Sequence, residues 1–207
     1  MGLEFEELRF LQTNEREDVV GSLELARLLL PRTAEEPLLW KWVLIAAHSA
    51  VTGAMICALS GTDRTGALRV PDQVRLQKLS RVPFDPQRPP PEVRPASFNE
   101  LLKWCQTPEC MEGQPLLLTP LHVFDLTTLA DFRNAWVHFL PVEWSVGLSS
   151  LPRLLGVATV HTKRLMLRPQ NAAQLNVEQR RRLGSASDEI LAEIGAAAID
   201  AAPKDNP

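Results

Sequence analysis

The 207-residue chain has no tyrosine, and aromatic residues make up only 6 % of it. Its three cysteines, Cys57, Cys105 and Cys110, are an odd number without the spacing of a disulfide framework. Cys57 lies in an apolar run and reads as a small core hydrophobe. Cys105 and Cys110 flank a Thr-Pro turn. A zinc site there needs two further ligands, and only His122 is near in sequence, so no metal or cofactor is expected. The opening "MGLEFEELRF" lacks a basic start and an apolar stretch. That argues against a secretory signal and predicts a reduced, cytoplasmic protein. No period-two alternation runs long enough to make a sheet and no internal repeat is visible, so the expected class is all-α. A formal charge of -3 is not that of a general nucleic-acid binder.

That average charge hides an asymmetry. Residues 1–36 hold nine acidic and four basic side chains. Residues 151–183 hold Arg153, Lys163, Arg164, Arg168, Arg180, Arg181 and Arg182 against Glu178 alone, a net of +6. Residues 184–207 return to -4. The basic strip suits either phosphate contact or a solvated helix face paired with the acidic ends.

Helical periodicity organises most of the chain. Val19, Val20, Leu23, Ala26, Leu29 and Leu30 line one face of a helix from about Arg16 to Leu30, with Asn14 or Thr13 as cap and Pro31 as stop. A shorter helix, Leu3 to Leu11, precedes it. Residues 37–59, "PLLWKWVLIAAHSAVTGAMICAL", are the most apolar stretch, with Pro37 at a first helical position and Thr33 and Glu36 placed as a capping box. Their length invites a membrane reading. Lys41, His48 and Thr52, however, fall on one stripe, which fits the middle of a helical bundle and predicts no membrane partner.

Residues 60–125 read as an insertion of loops and short helices. "PDQVRLQKL" (71–79) is one short helix, and "SFNELLKWC" (97–105) is another, with Ser97 and Glu100 as a capping box. Residues 83–95 hold six prolines in thirteen positions and cannot form regular structure. The next helix starts near Asp125 or Thr127, buries Leu129, Phe132, Trp136 and Leu140, and stops at Pro141. Helix 151–167 follows, then two more over "NVEQRRRL" and "SASDEILAEIGAAAIDAA", then a disordered "PKDNP". The expected core joins 37–59 to 16–30, 127–140 and 151–167. One domain spans 1–168, and 169–207 is a helical tail.

The chemistry-bearing stretch is "TLADFRNAWVHFLP", residues 128–141, with Arg133 and His138 five apart. Metal-free RNA cleavage needs a base for the ribose 2′-hydroxyl, an acid for the leaving 5′-oxygen and a cation for the charged phosphorane. Histidine serves for the first two and arginine for the third. One imidazole does not easily act as base and acid together, so two chains related by a twofold axis would supply both. Five residues turn an ideal helix by roughly 140° and advance about 7.5 Å, so Arg133 and His138 are not stacked. Asn134 shares the face of His138 and is placed to hydrogen-bond its imidazole. The bland alternative is a surface arginine and a helix-terminal histidine beside the negative end of the dipole.

"FRNAWVHFLPVEWSVGLSSLPRLL" resembles the C-terminal signature of a bacterial branch of the HEPN superfamily, whose hallmark is Arg-Asn-x-x-x-His at the end of a bundle helix. "LLWKWVLIAAHSAVTGAMICAL" is similar to the hydrophobic helix of that branch, including its Trp-Lys-Trp and His-Ser. The resemblance implies an all-α bundle that dimerises so that two motifs face each other. In many such proteins this makes a metal-independent endoribonuclease of toxin–antitoxin, CRISPR-associated or antiphage systems. It implies an RNA substrate, a homodimer and an antitoxin or defence-complex partner. Arg133 would contact the scissile phosphate, His138 would be the acid/base, and Asn134 would be the polar residue that follows the arginine. His48 and Lys41 would lie on a helix packed near the motif, in supporting roles. HEPN domains without nuclease activity also serve as dimerisation or RNA-binding modules. Some HEPN toxins carry a tyrosine two residues after the histidine, which a partner nucleotidyltransferase modifies to silence them. Leu140 stands there in this chain, which excludes that control.

Overall fold

A computed structural model describes residues 13–60, 65–82, 91–138 and 145–200, with side chains to residue 195. The described residues form eight α-helices and three short 3-10 turns, with a lone β-bridge between Leu68 and Pro95 in place of any strand. The all-α class is therefore observed. The helices are α1 (Glu15–Leu29), α2 (Leu39–Leu59), α3 (Val70–Leu79), α4 (Phe98–Cys105), α5 (Pro120–His138), α6 (Leu151–Met166), α7 (Pro169–Ala172) and α8 (Val177–Asp200). The expected helix over Leu3–Leu11, the stop at Leu140 and Pro141, most of the proline-rich loop and the expected disorder of the last five residues lie outside the described residues.

Local chemistry explains several helix ends. The Asn14 side chain accepts from the amides of Arg16 and Glu17, so α1 is capped as expected. Ser97 and Glu100 form the full reciprocal capping box on α4. Pro31 does not stop the chain's winding. It opens a 3-10 turn, Leu30–Ala34, where its missing N–H is no loss. Within that turn the Thr33 hydroxyl donates back to the Leu30 carbonyl at 2.8 Å. It is thereby withdrawn from α2, whose N-cap position, Leu38, carries no side-chain cap. The expected Thr33–Glu36 box does not form.

α2 is the central helix, packed most extensively against α1 and α6 and also against α4 and α5. Val43, Leu44, Ala47, Ala50, Val51, Ala54 and Met55 are buried around much of its circumference. It is long and apolar enough to cross a membrane, and 56 % of its apolar window is buried inside the fold. Gly53 permits the close α1–α2 approach, since a Cβ there would lie 2.7 Å from a Val19 methyl.

The fourth major helix of the bundle is α8, which packs on α1 and α6 through Leu183, Ala186 and Ile190. It is one continuous helix where two were expected. Gly184 costs an α-helix about 1 kcal/mol, and an apolar stripe continuing on both sides of it outweighs that cost.

Helix direction follows from side-chain contacts. The last turn of α2 and the residues just past α6 line one cavity, so these two helices run the same way. His122, early in α5, meets His161, late in α6, and Asp125 meets Arg153, so α5 runs opposite to both. The C-terminal end of α5 therefore lies at the N-terminal end of α2.

Candidate functional site

The helix carrying Arg133 and His138 begins earlier than expected, at Pro120. Thr119 supplies the cap, its hydroxyl accepting from the His122 amide at 3.2 Å, and Pro120 stands where a missing N–H is harmless. Asp125 is thus no N-cap. It sits well inside α5 and is 1 % exposed. Leu126 and Leu129 anchor this first half of the helix in the core. The second half is more peripheral: Phe132 and Trp136 are only partly buried, their rings 5.4 Å apart, while Asn134 and His138 are exposed.

Arg133 is half-buried, and its Nη1 donates to the Asn134 carboxamide oxygen at 3.1 Å. That bond occupies the amide expected to hold His138, and among the described residues no hydrogen bond joins Asn134 to His138. Arg133 is near enough to α2 for its charge to act on His48. His48 there is 8 % exposed and stacked on Phe98, centroids 4.9 Å apart. Burial first, and then the nearby Arg133 charge, together push its pKa down to about 4. The Thr52 hydroxyl donates to the His48 carbonyl at 2.7 Å and lies 3.5 Å from its Nδ1. His48 is therefore a neutral, packed histidine beside a fixed cation. The Lys41 ammonium lies 5.0 Å from the centre of the Trp42 ring.

The structure brings Arg133, Asn134 and His48 together within one chain. Among the described residues no hydrogen bond, ion pair or ring contact joins His138 to them. About 140° of helical rotation separates Arg133 from His138, as their spacing requires.

The basic strip resolves largely into internal pairing. Arg153 meets Asp125 at 3.0 Å, Lys163 meets Asp188 at 2.5 Å, and Arg181 meets Glu178. Arg182 bridges Glu17 and Glu24 of α1, and those bonds raise its own pKa and lower that of Glu24, whereas Glu17 is lowered first by the Gln179 amide and then by Arg182. Arg168 donates to the carbonyls of Gln114 and Met111, and Arg180 to that of Ala172. Six of the seven strip cations thus have protein acceptors. The acidic ends pair with Lys163 and Arg182, while Arg153 and Arg181 meet Asp125 and Glu178, and Arg168 and Arg180 are held by neutral backbone carbonyls.

A second polar cluster escaped the sequence reading. Between α5 and α6, His161 Nε2 lies 3.2 Å from His122 Nδ1, and the rings meet edge-on with centroids 5.0 Å apart. Burial first, then the charges of His122 and Arg164, push the His161 pKa down to about 4. The Arg153–Asp125 contact has ion-pair distance but leaves both carboxylate oxygens without a hydrogen bond. Thr159 and Thr162 are fully buried with unpartnered hydroxyls. Had Thr119-Pro120 been read as the helix start, His122 and Asp125 would have stood out as polar residues one turn apart on a buried face. Cys105 is buried, its thiol pushed up to about 12, whereas Cys110 is exposed. No group of three or more His, Cys, Asp or Glu among the described residues is placed to hold a metal.

No family model, curated protein or solved structure matches this chain.

Proposed function

We propose that the chain is a HEPN-type, metal-independent endoribonuclease that acts as a homodimer on RNA. Its setting would be toxin–antitoxin, stress or antiphage defence, with an antitoxin or defence-complex protein as a further partner. One observation carries the reading: an arginine oriented by the next residue's amide stands on the outward half of a bundle helix, with an exposed histidine at the helix end. The reading is supported by the resemblance of residues 132–155 to the HEPN signature.

In this reading Arg133 presents its guanidinium to the scissile phosphate and stabilises the phosphorane, with Asn134 setting the plane of the fork. His138 of one copy accepts the 2′-hydroxyl proton, and His138 of the second copy protonates the departing 5′-oxygen. Attack by the 2′-oxygen leaves a 2′,3′-cyclic phosphate on one fragment and a 5′-hydroxyl on the other. His48 adds no competing positive charge behind Arg133, because it is neutral at pH 7. Lys41, at the same end of the bundle, adds a cation near the path of the RNA. Incubating the purified protein with mixed RNA in EDTA tests this. Cleavage by the parent that is absent in His138→Ala supports the enzyme, and identical traces refute it.

A second reading is a non-catalytic HEPN dimerisation or RNA- or protein-binding module, and the internal pairing of the basic strip favours its dimerisation or protein-binding form. Such a module would keep its affinity for RNA or partner in His138→Ala and would cleave nothing in either form.

A further inference from the structure

The start of α2 carries two large apolar side chains that the bundle leaves uncovered, Leu38 at 81 % and Trp42 at 52 % exposure. Their neighbours Trp40, Val43 and Leu44 point inward and are buried, so Trp42 is not needed to fill the core. A tryptophan this open is a liability in water unless something covers it. What covers it is indicated by its surroundings. The Lys41 ammonium stands 5.0 Å from the centre of the Trp42 ring and makes this an aromatic surface with a cation beside it. Arg133 lies at the level of His48, and α5 runs antiparallel to α2. From Arg133 to His138 the helix advances about 7.5 Å, and from His48 back to Trp42 about 9 Å in the same direction. The open indole, Lys41 and His138 therefore share one end of the bundle.

We propose that Trp42 is a stacking platform for an unpaired base of single-stranded RNA, flanking the phosphate that Arg133 contacts. The inference rests on the RNA reading above and deepens it by naming the form of RNA. An exposed ring with a cation alongside matches the two halves of a single strand, a π-face from each base and a charged backbone between bases. Duplex bases already stack on one another and have no face to offer, so the platform selects unpaired RNA and tolerates any base.

A labelled RNA octamer with 2′-O-methyl riboses lacks the attacking hydroxyl and separates binding from cleavage. Fluorescence anisotropy should show the parent binding this octamer more tightly than the same octamer annealed to its complement. Trp42→Ala should weaken single-strand binding about ten- to a hundred-fold, the weight of one stacked base, and Trp42→Phe should retain most of it. Equal affinity in Trp42→Ala, equal preference for duplex, or no binding by the parent overturns the platform. So does a parent dimer that becomes monomeric in Trp42→Ala, since a second copy would then cover the ring. The two proposals fail separately. Trp42-dependent binding with unmodified RNA left intact supports stacking and removes the nuclease. Cleavage by Trp42→Ala with the parent's kcat and KM keeps the nuclease and removes the platform.

Discussion

Acid should weaken this fold well before its carboxylates titrate, because two histidines are buried in their neutral form. His48 and His161 are 8 % and 1 % exposed, and each has its pKa pushed from 6.5 to about 4. Arg133 faces the first, and His122 and Arg164 face the second, so a proton on either ring meets positive charge as well as an apolar wall. A depressed folded pKa means that the unfolded chain binds the proton first. Stability from each group is therefore complete above about pH 6.5 and is lost as pH falls toward about 4. The full span is worth about 3 kcal/mol per histidine, and the drop from pH 7 to pH 5 about 2 kcal/mol each. Urea unfolding followed by circular dichroism at half-unit steps of pH reads this directly. The parent should lose about 4 kcal/mol between pH 7 and pH 5 if the two sites act independently. His161→Gln, whatever its stability at pH 7, should show about half that slope. A parent whose unfolding free energy is flat over this window, or a variant with the parent's slope, refutes the argument.

Other perturbations follow from the packing. Leu155 is fully buried on α6, so Leu155→Ala should cost about 2–5 kcal/mol in urea unfolding without altering the oligomeric state. Gly66→Ala places a methyl 1.9 Å from the Leu59 carbonyl oxygen, and the forced shift should destabilise the protein by about 1–3 kcal/mol in the same assay. Arg182→Gln leaves Glu17 and Glu24 without the cation that bridges them. It should lower stability by about 1 kcal/mol at low salt and by less at high salt. Light scattering on the parent should give the mass of a dimer, and a monomer at every concentration would argue against a composite site.

Local signals were legible where they were self-contained. Asn14 ahead of α1 and Ser97 with Glu100 ahead of α4 are capping residues whose partners lie within four positions, and both caps form. The near-opposite placement of Arg133 and His138 is likewise a matter of helical rotation alone. Signals that depend on what the chain packs against were not legible. Thr33 and Glu36 have capping-box spacing, but Pro31 starts a 3-10 turn that commits the Thr33 hydroxyl elsewhere. Gly184 reads as a break between helices until the stripe of Leu183, Ala186 and Ile190 is seen packing across it. The basic strip reads equally as a phosphate surface or as a face paired with the acidic ends, and sequence alone does not show that Arg182 sits between Glu17 and Glu24, more than 150 residues away. Thr119-Pro120 was a usable start signal for α5. Passing over it hid the burial of Asp125 and the meeting of His122 with His161. The approach of Arg133 to His48 joins residues far apart in the chain, so spacing carries no trace of it, and only the family resemblance implied that the two helices pack together.

In the proposed nuclease, two copies of the chain jointly supply one reaction centre. Initial rates of RNA cleavage in EDTA, measured as enzyme is diluted through the dimer dissociation range found by light scattering, test it most directly. Activity per chain should collapse as dimers dissociate and should be absent throughout in Arg133→Ala and His138→Ala. Activity per chain that stays constant into the monomer range would contradict it.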